Sequence, residues 1–169
     1  MKSLKHIIIA ITAVIALASC EKKDYPSGLD ELAHHYYAIF VPNNNSAVTV
    51  SKTQTALLKF PVQFYSSFTR DYDAIGMYAV STSGIPNPAV RGVDFNVVDK
   101  NGIEIPSTDT TYTMIFPKAI KTTDTVYIKL LNNPAPGSRK MEIQIKENQT
   151  SQFYVDIFST AFRRPVTIN

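Results

Sequence analysis

The sequence predicts an all-β protein, folded as a sandwich of mainly antiparallel sheets. Apolar residues recur at every second position in short runs, turn residues separate these runs, and no run after residue 20 has a helical period. Antiparallel strands that expose one face to water show this alternation. About eight or nine such strands at close spacing are typical of a β-sandwich, and a closed barrel is the alternative.

The early strands are bounded by turn residues. An aromatic and apolar run at residues 36–41 stops at Pro42, and the Asn43–Asn45 triplet predicts a turn before a short strand at 47–51. A further strand is predicted at 75–80, followed by a loop rich in Gly and Pro.

The run Leu58–Phe64 shows the pattern most clearly, because every second residue is apolar. This alternation predicts a strand with one buried face. Pro61 interrupts the run, and proline cannot donate a hydrogen bond to a neighbouring strand. We therefore expect this strand to lie at a sheet edge or to carry a bulge.

The later strands follow the same rule. Residues 93–98 lead through the Asp99–Gly102 turn into a strand at 103–105, and 153–158 is the last clear strand before the chain ends near Arg163-Arg164-Pro165. The remaining predicted strands span residues 111–116, 126–130 and 140–146.

Residues 1–19 have the order of a secretory signal peptide. Lys2 and Lys5 precede the mostly apolar run Ile7–Leu17, and small residues follow up to Cys20. That run would rise only about 17 Å as a helix, too short for a hydrocarbon core of about 30 Å. Leu-Ala-Ser-Cys resembles the lipobox of bacterial lipoproteins, which implies that Cys20 is lipidated and becomes the mature N-terminus. An ordinary cleaved signal is the alternative.

Residues 20–33 are predicted to form the lipidated N-terminus and a tether. Residues 21–31 are charged, contain Pro26 and Gly28, and would reach on the order of 30–40 Å when fully extended. The charges behind the cysteine resemble the surface-export signals of Bacteroidetes-type lipoproteins. We therefore expect a lipid-anchored outer-membrane protein, on the cell surface or facing the periplasm, whose domain spans residues 34–169.

The composition is that of one domain with its own core. Removing the signal leaves 150 of 169 residues, and the chain is 44% hydrophobic with nine Tyr and nine Phe. Lys2 and Lys5 leave with the signal, so 15 basic residues remain against 14 acidic ones. No basic run is left to bind nucleic acid. Cys20 is the only cysteine, which excludes an internal disulfide and a thiolate metal cluster.

Four short segments resemble the Calx-beta type of immunoglobulin-like sandwich. They match its small-Gly-x-Asp-aromatic turn, its Phe-Pro strand end and its late alternating strands. The chain is also similar to a family of Bacteroidetes lipoproteins of unknown function that carry this domain behind a lipobox. The resemblance implies an immunoglobulin-like antiparallel β-sandwich behind a lipoprotein signal peptide. The four segments are Arg91–Phe95, Met114–Pro117, Asp124–Ile128 and Met141–Ile143.

The resemblance suggests calcium binding, but the residues at the expected positions argue against it. Calx-beta calcium sites use several loop carboxylates, and calcium takes about six to eight oxygen ligands. This chain has Asn132-Asn133 after the strand at 126–130, and Arg139-Lys140 before Met141. We expect solvated loop carboxylates and neither a metal nor a cofactor. The acidic residues that remain as candidate ligands are Asp71, Asp73, Asp94 and Asp99.

The sequence lacks the motifs of common enzymes. It has no Gly-x-Ser-x-Gly, no phosphate-binding Gly-rich loop and no His-Glu-x-x-His. His34 and His35 are adjacent at a strand start, so their side chains should point to opposite faces and not share a metal. The pair Asp71 and Asp73 could do acid–base chemistry, but its spacing is generic. We expect no enzymatic activity.

The loop at residues 66–73 is the candidate binding site. Phe68, Arg70 and Tyr72 lie between two predicted strands, and loops on a rigid sandwich often carry recognition. The alternative is that Phe68 and Tyr72 fold back to cap the core. A glycan is the expected ligand of such a lipoprotein, although the chain has no Trp for stacking. Further exposed aromatic candidates, equally explained by cross-strand packing, are Tyr65, Tyr78 and Tyr127.

Two short segments resemble the O-glycosylation sequence of exported Bacteroidetes proteins, with Thr110 and Thr125 as the modified residues. Taken together, the sequence predicts a non-catalytic outer-membrane lipoprotein that binds a glycan or an envelope protein. A structural envelope or fimbria-associated subunit without a small ligand is one alternative. A calcium-stabilised adhesion domain is another.

Overall fold

The computed structural model describes residues 34–106 and 111–169. The signal peptide, Cys20, the tether and Thr110 lie outside the described residues. Contacts within the described chain form a compact unit, His34–Asn169. In this part of the chain, no helix is both long enough and apolar enough to cross a membrane.

Eleven strands and one short 3-10 helix, Pro117–Ala119, make up the described fold. The strands are β1 His35–Phe40, β2 Val48–Val50, β3 Leu58–Tyr65, β4 Ala74–Ser81, β5 Phe95–Val98, β6 Thr111–Phe116, β7 Thr122–Leu130, β8 Arg139–Lys146, β9 Asn148–Gln149, β10 Tyr154–Ile157 and β11 Arg163–Ile168.

The strands form two sheets that pack face to face. The six-stranded sheet has the order β5-β7-β3-β1-β10-β9, and the five-stranded sheet has the order β2-β11-β8-β4-β6. The pairs β1–β10 and β2–β11 are parallel, and the other pairs are antiparallel. The predicted all-β sandwich with mainly antiparallel sheets is confirmed.

The inward rows of the two sheets meet in an aromatic core. The rings of Phe64 on β3 and Phe116 on β6 stack with centroids 4.5 Å apart, and Tyr36 on β1 lies 4.9 Å from Phe64. Gly76 on β4 leaves room for this stack, because a Cβ there would come within 2.8 Å of the Phe116 ring. Such close packing is what holds the two sheets together.

The prediction that Pro61 marks an edge or a bulge is wrong. Strand β3 lies inside the six-stranded sheet, between β7 and β1. The backbone of Pro61 faces β1, since its carbonyl accepts a hydrogen bond from the Val41 N–H at 2.9 Å. Strand β1 ends at Phe40, so the missing N–H of Pro61 falls where the neighbouring strand has stopped. A proline is therefore tolerated in an interior strand.

Other differences concern the short and terminal strands. The predicted strand at 103–105 is reduced to a single bridge between Val98 and Glu104. Two strands were not predicted, β9 and β11. Strand β11 carries Pro165 and little alternation at its start, yet it pairs with both β8 and β2.

Candidate binding site

Tyr72, one of the three predicted binding residues, packs against the core. Its hydroxyl group lies 2.6 Å from the Tyr36 hydroxyl and 2.7 Å from Nδ1 of His34. Its ring stacks on Phe153, with centroids 5.7 Å apart and planes inclined by 8°. Burial, followed by the hydrogen bond to Tyr36, raises the pKa of the Tyr72 phenol well above its usual value. Tyr72 therefore folds back against the core, as in the alternative to ligand binding given above.

Phe68 is exposed, and the half-buried Arg70 lies between it and Tyr72, since its side chain also forms a hydrogen bond with the Tyr72 phenol. The Phe68 side chain is 63% exposed, and the Arg70 guanidinium lies 5.1 Å from its ring centroid. The Arg70 backbone N–H donates to the Lys118 carbonyl at 2.7 Å, which fixes the loop against the 3-10 helix. Arg70 therefore connects the three predicted residues, with Tyr72 at the core margin and Phe68 at the exposed loop tip.

The aspartates considered as calcium ligands mostly hold turns. Asp94 is 4% exposed, and its two carboxylate oxygens accept hydrogen bonds from the Val90 N–H and the Asn133 side chain, both at 2.7 Å. Asp99 accepts N–H groups of its own turn, which lowers its pKa. Among residues 34–106 and 111–169, no group of three or more His, Cys, Asp or Glu side chains could hold a metal ion.

The two histidines lie in different surroundings. His34 is exposed, and its ring contacts Tyr72, as described above. His35 points to the outer face of the six-stranded sheet, where its Nε2 lies 3.0 Å from an Asp156 carboxylate oxygen. The two imidazoles thus have different partners, Tyr72 for His34 and Asp156 for His35.

A groove that the sequence did not reveal lies on the outer face of the six-stranded sheet. Tyr37 on β1, Tyr65 at the end of β3 and Phe158 after β10 surround a volume of about 280 Å³. Ile39 forms its buried floor and Asn43 one rim. The three aromatic side chains are between 37% and 45% exposed. We call this site the aromatic groove.

The strand register builds the aromatic groove. Tyr37 and Tyr65 are directly opposite each other in the antiparallel β1–β3 pair. The parallel β1–β10 pair places Tyr37 opposite Asp156, and the Phe158 ring meets Tyr37 edge-on at 6.0 Å. The groove therefore depends on three strands that are far apart in sequence.

Aromatic contacts extend beyond the groove on both sides. The His35 ring stacks on Tyr37 at 5.0 Å and on Tyr154 at 4.7 Å. On the other side, the Lys121 ammonium lies 5.2 Å from the Tyr65 ring centroid. The rings are thereby held in place before any ligand arrives, which reduces the entropy that binding must overcome.

The other sequence-predicted surface residues have ordinary positions. Tyr65 is part of the aromatic groove, and Tyr127 is half-buried on β7. Tyr78 is buried and stacks on Tyr112 of the neighbouring strand, so the expectation that Tyr78 is exposed is wrong. Thr125 lies half-buried on β7, opposite Pro61. Its modification stays a prediction.

No protein-family model matches the chain, and no curated protein matches its sequence significantly. Solved structures do match its fold. The apo form of the Calx CBD1 domain matches at 12% sequence identity and a TM-score of 0.51, with 79% of this chain and 97% of that one covered. The calcium binding domain CBD12 of CALX1.1 matches at 14% identity and a TM-score of 0.49, covering 78% and 44% of the two chains. The Calx-beta-like, immunoglobulin-like fold is confirmed.

Proposed function

We propose that this protein is a lipid-anchored binding module of a bacterial outer membrane, with a neutral glycan as its ligand and the aromatic groove as its binding site. The observation that carries the proposal is the convergence of Tyr37, Tyr65 and Phe158 on one surface groove. The lipid anchor at Cys20, the outer-membrane location and the kinship with Bacteroidetes lipoproteins rest on the sequence resemblances given above.

The chemistry of the groove favours a sugar. The apolar faces of pyranose rings stack on aromatic side chains, whose flat surfaces lose little conformational entropy on binding. The residues that line the groove are uncharged, so an ionic ligand would find no counter-charge within it. Its volume of about 280 Å³ suits one or two sugar rings better than a protein segment.

Polar groups at the margin could orient the ligand. Asn43 lies on the rim of the groove, and an amide can both donate and accept hydrogen bonds from sugar hydroxyl groups. The His35–Asp156 pair borders Tyr37 and offers a further donor and acceptor. Few but fixed polar groups around an apolar surface are typical of specific ligand sites.

The test is a glycan array probed with the full-length lipidated protein in detergent, followed by calorimetry with any sugar bound. We expect Tyr37→Ala and Tyr65→Ala each to weaken binding about tenfold or more. Tyr37→Phe keeps the ring and should keep most of the affinity. Tyr127→Ala is the matched control, because Tyr127 lies on the same sheet outside the groove.

Two results would contradict the proposal. Binding that Tyr37→Ala and Tyr127→Ala weaken equally would place the ligand elsewhere. Absence of binding to any sugar would favour the structural subunit instead. The anchor is tested separately by labelling cells with palmitate, which Cys20→Ala should no longer incorporate.

A further inference from the structure

Two loops form a continuous surface at the end of the sandwich where β1 begins. They are residues 66–73, between β3 and β4, and residues 117–121, between β6 and β7. The Arg70 N–H donates to the Lys118 carbonyl at 2.7 Å, and the Lys118 N–H donates to an Asp73 carboxylate oxygen at 2.8 Å. These bonds join the two loops into one surface, which we call the lower end.

The lower end exposes large apolar side chains. Phe68 is 63% exposed and Ile120 is 46% exposed, one on each loop. Neither belongs to the buried core, which the inward rows of the strands fill without them. Both side chains therefore contribute to the surface of the lower end and not to the core.

Three cations lie on the same two loops as these apolar side chains. The Arg70 guanidinium lies 5.1 Å from the Phe68 ring centroid, and the Lys121 ammonium lies 5.2 Å from that of Tyr65. Lys118 is exposed beside them. Two carboxylates share the surface, Asp71 and Asp73, and a backbone N–H already occupies an oxygen of Asp73. The lower end therefore combines exposed apolar groups with a small excess of positive charge.

The lower end is also where the chain arrives from its N-terminal segment. His34 precedes β1, and its ring lies 2.7 Å from the Tyr72 hydroxyl in the first of the two loops. Cys20 precedes His34 by fourteen residues, which can span at most about 50 Å. If Cys20 carries a lipid, the lower end is held within that distance of the membrane.

We infer that the lower end rests on the membrane surface, with Phe68 and Ile120 entering the interfacial layer and Arg70, Lys118 and Lys121 pairing with lipid phosphates. This inference rests on the lipid anchor of the proposed function. Aromatic and aliphatic side chains flanked by cations suit the headgroup region of a bilayer. The anchor keeps the local concentration of the surface high, so a contact of low intrinsic affinity is sufficient.

The contact would set the orientation of the domain. Strands β1, β3 and β7 have one terminus at the lower end, so the sheet that carries the aromatic groove would rise from the membrane. Its outer face would stay open to the envelope.

The experiment uses the full-length lipidated protein with Phe68→Cys, labelled by a polarity-sensitive fluorophore. Acylation blocks the thiol of Cys20, so the introduced cysteine is the one thiol left to react. The protein is reconstituted in vesicles of equal parts phosphatidylethanolamine and phosphatidylglycerol. We expect a blue-shifted emission and quenching by brominated acyl chains. Ile120→Cys should behave in the same way. Ser83→Cys, in the exposed loop after β4 at the other end of the sandwich, should show neither effect.

A second measurement tests the charges. Arg70→Gln, Lys118→Gln and Lys121→Gln together should reduce quenching at position 68 when phosphatidylglycerol is present, whereas Lys59→Gln on β3 should not.

Flotation of the protein with the vesicles distinguishes the ways in which the inference can fail. If the protein floats with the vesicles but the labels at positions 68 and 120 are as exposed to water as the label at 83, the membrane contact is refuted and the lipid anchor is not. Protein that does not float contradicts the lipid anchor, and the contact is refuted with it. A label shielded on cells but not in vesicles indicates a protein partner and also overturns the inference.

Discussion

The hydroxyl group of Tyr72 lies 2.6 Å from that of Tyr36, across 36 positions of the sequence. This contact ties the loop after β3 to the first strand. The stack of Tyr72 on Phe153 ties the same loop to the segment that precedes β10. The loop that carries the exposed Phe68 is therefore anchored by a residue that was itself a candidate for ligand binding.

Tyr72 should matter for stability more than for recognition. We expect Tyr72→Ala to lower the free energy of unfolding by about 1–3 kcal/mol, because it removes a half-buried ring from the core margin. Tyr72→Phe keeps the ring and should cost about 1 kcal/mol for the lost hydrogen bond. Urea unfolding measures both. Phe68→Ala is the matched control and should change stability by less than about 0.5 kcal/mol, because Phe68 is exposed. Equal losses for Phe68→Ala and Tyr72→Ala would contradict this division.

The fold could be predicted because its strands alternate. The inward residues of β3 and β8 recur at every second position, and this pattern does not depend on which strands lie next to them in the sheet. The position of β3 inside its sheet could not be predicted. A proline is tolerated there because β1 ends opposite it, and the residues around Pro61 do not indicate where β1 ends.

The aromatic groove could be predicted only in part. Tyr37 falls on the outward row of β1 by simple alternation, and Tyr65 falls outward on β3 in the same way. Their meeting with Phe158 requires the parallel β1–β10 pair, whose partners are 119 positions apart. Sequence reasoning favoured the Phe68 loop because its residue types are close together in the chain, whereas the groove is assembled by register.

Stability should decrease at alkaline pH. Burial raises the pKa of the Tyr72 and Tyr78 phenols above their ordinary value of about 10. The folded state therefore keeps protons that the unfolded state releases above about pH 10, so the free energy of unfolding falls as pH rises beyond that value. Urea titrations from neutral pH to above pH 10 check this. Tyr78→Phe should make the decline shallower, and an unchanged slope in that variant would contradict the assignment.

Asp94 should act as a structural carboxylate that needs no calcium. Both of its oxygens are taken by neutral donors from Val90 and Asn133. We expect Asp94→Ala to lower stability by about 2–3 kcal/mol, since it leaves these buried donors unpaired, and Asp71→Ala to change it by less than about 0.5 kcal/mol. Differential scanning calorimetry should give the same melting temperature with and without a chelator. A melting temperature raised by added calcium would contradict this and support the calcium-stabilised alternative.

Arg164 should be the cation on which the fold depends most. It is 3% exposed, lies over the Phe40 ring at 5.0 Å, and donates hydrogen bonds to the carbonyls of Pro42 and Asn44. Burial lowers the pKa of its guanidinium, but bonds to several carbonyls offset the lost hydration. Arg164→Met would keep much of the volume and leave the carbonyls without donors. We expect a loss of about 2–4 kcal/mol in the free energy of unfolding, measured with urea.

The neighbouring Arg163 provides the control for Arg164. Its side chain is exposed and its guanidinium lies 3.8 Å from a Glu142 carboxylate oxygen, an arrangement that contributes little in water. Arg163→Met should therefore change stability by less than about 0.5 kcal/mol. Because the two arginines are adjacent on β11, a shared effect on strand propensity cancels in the comparison. Similar losses in both variants would show that the hydrogen bonds of Arg164 to the loop after β1 add no stability beyond that of an exposed arginine.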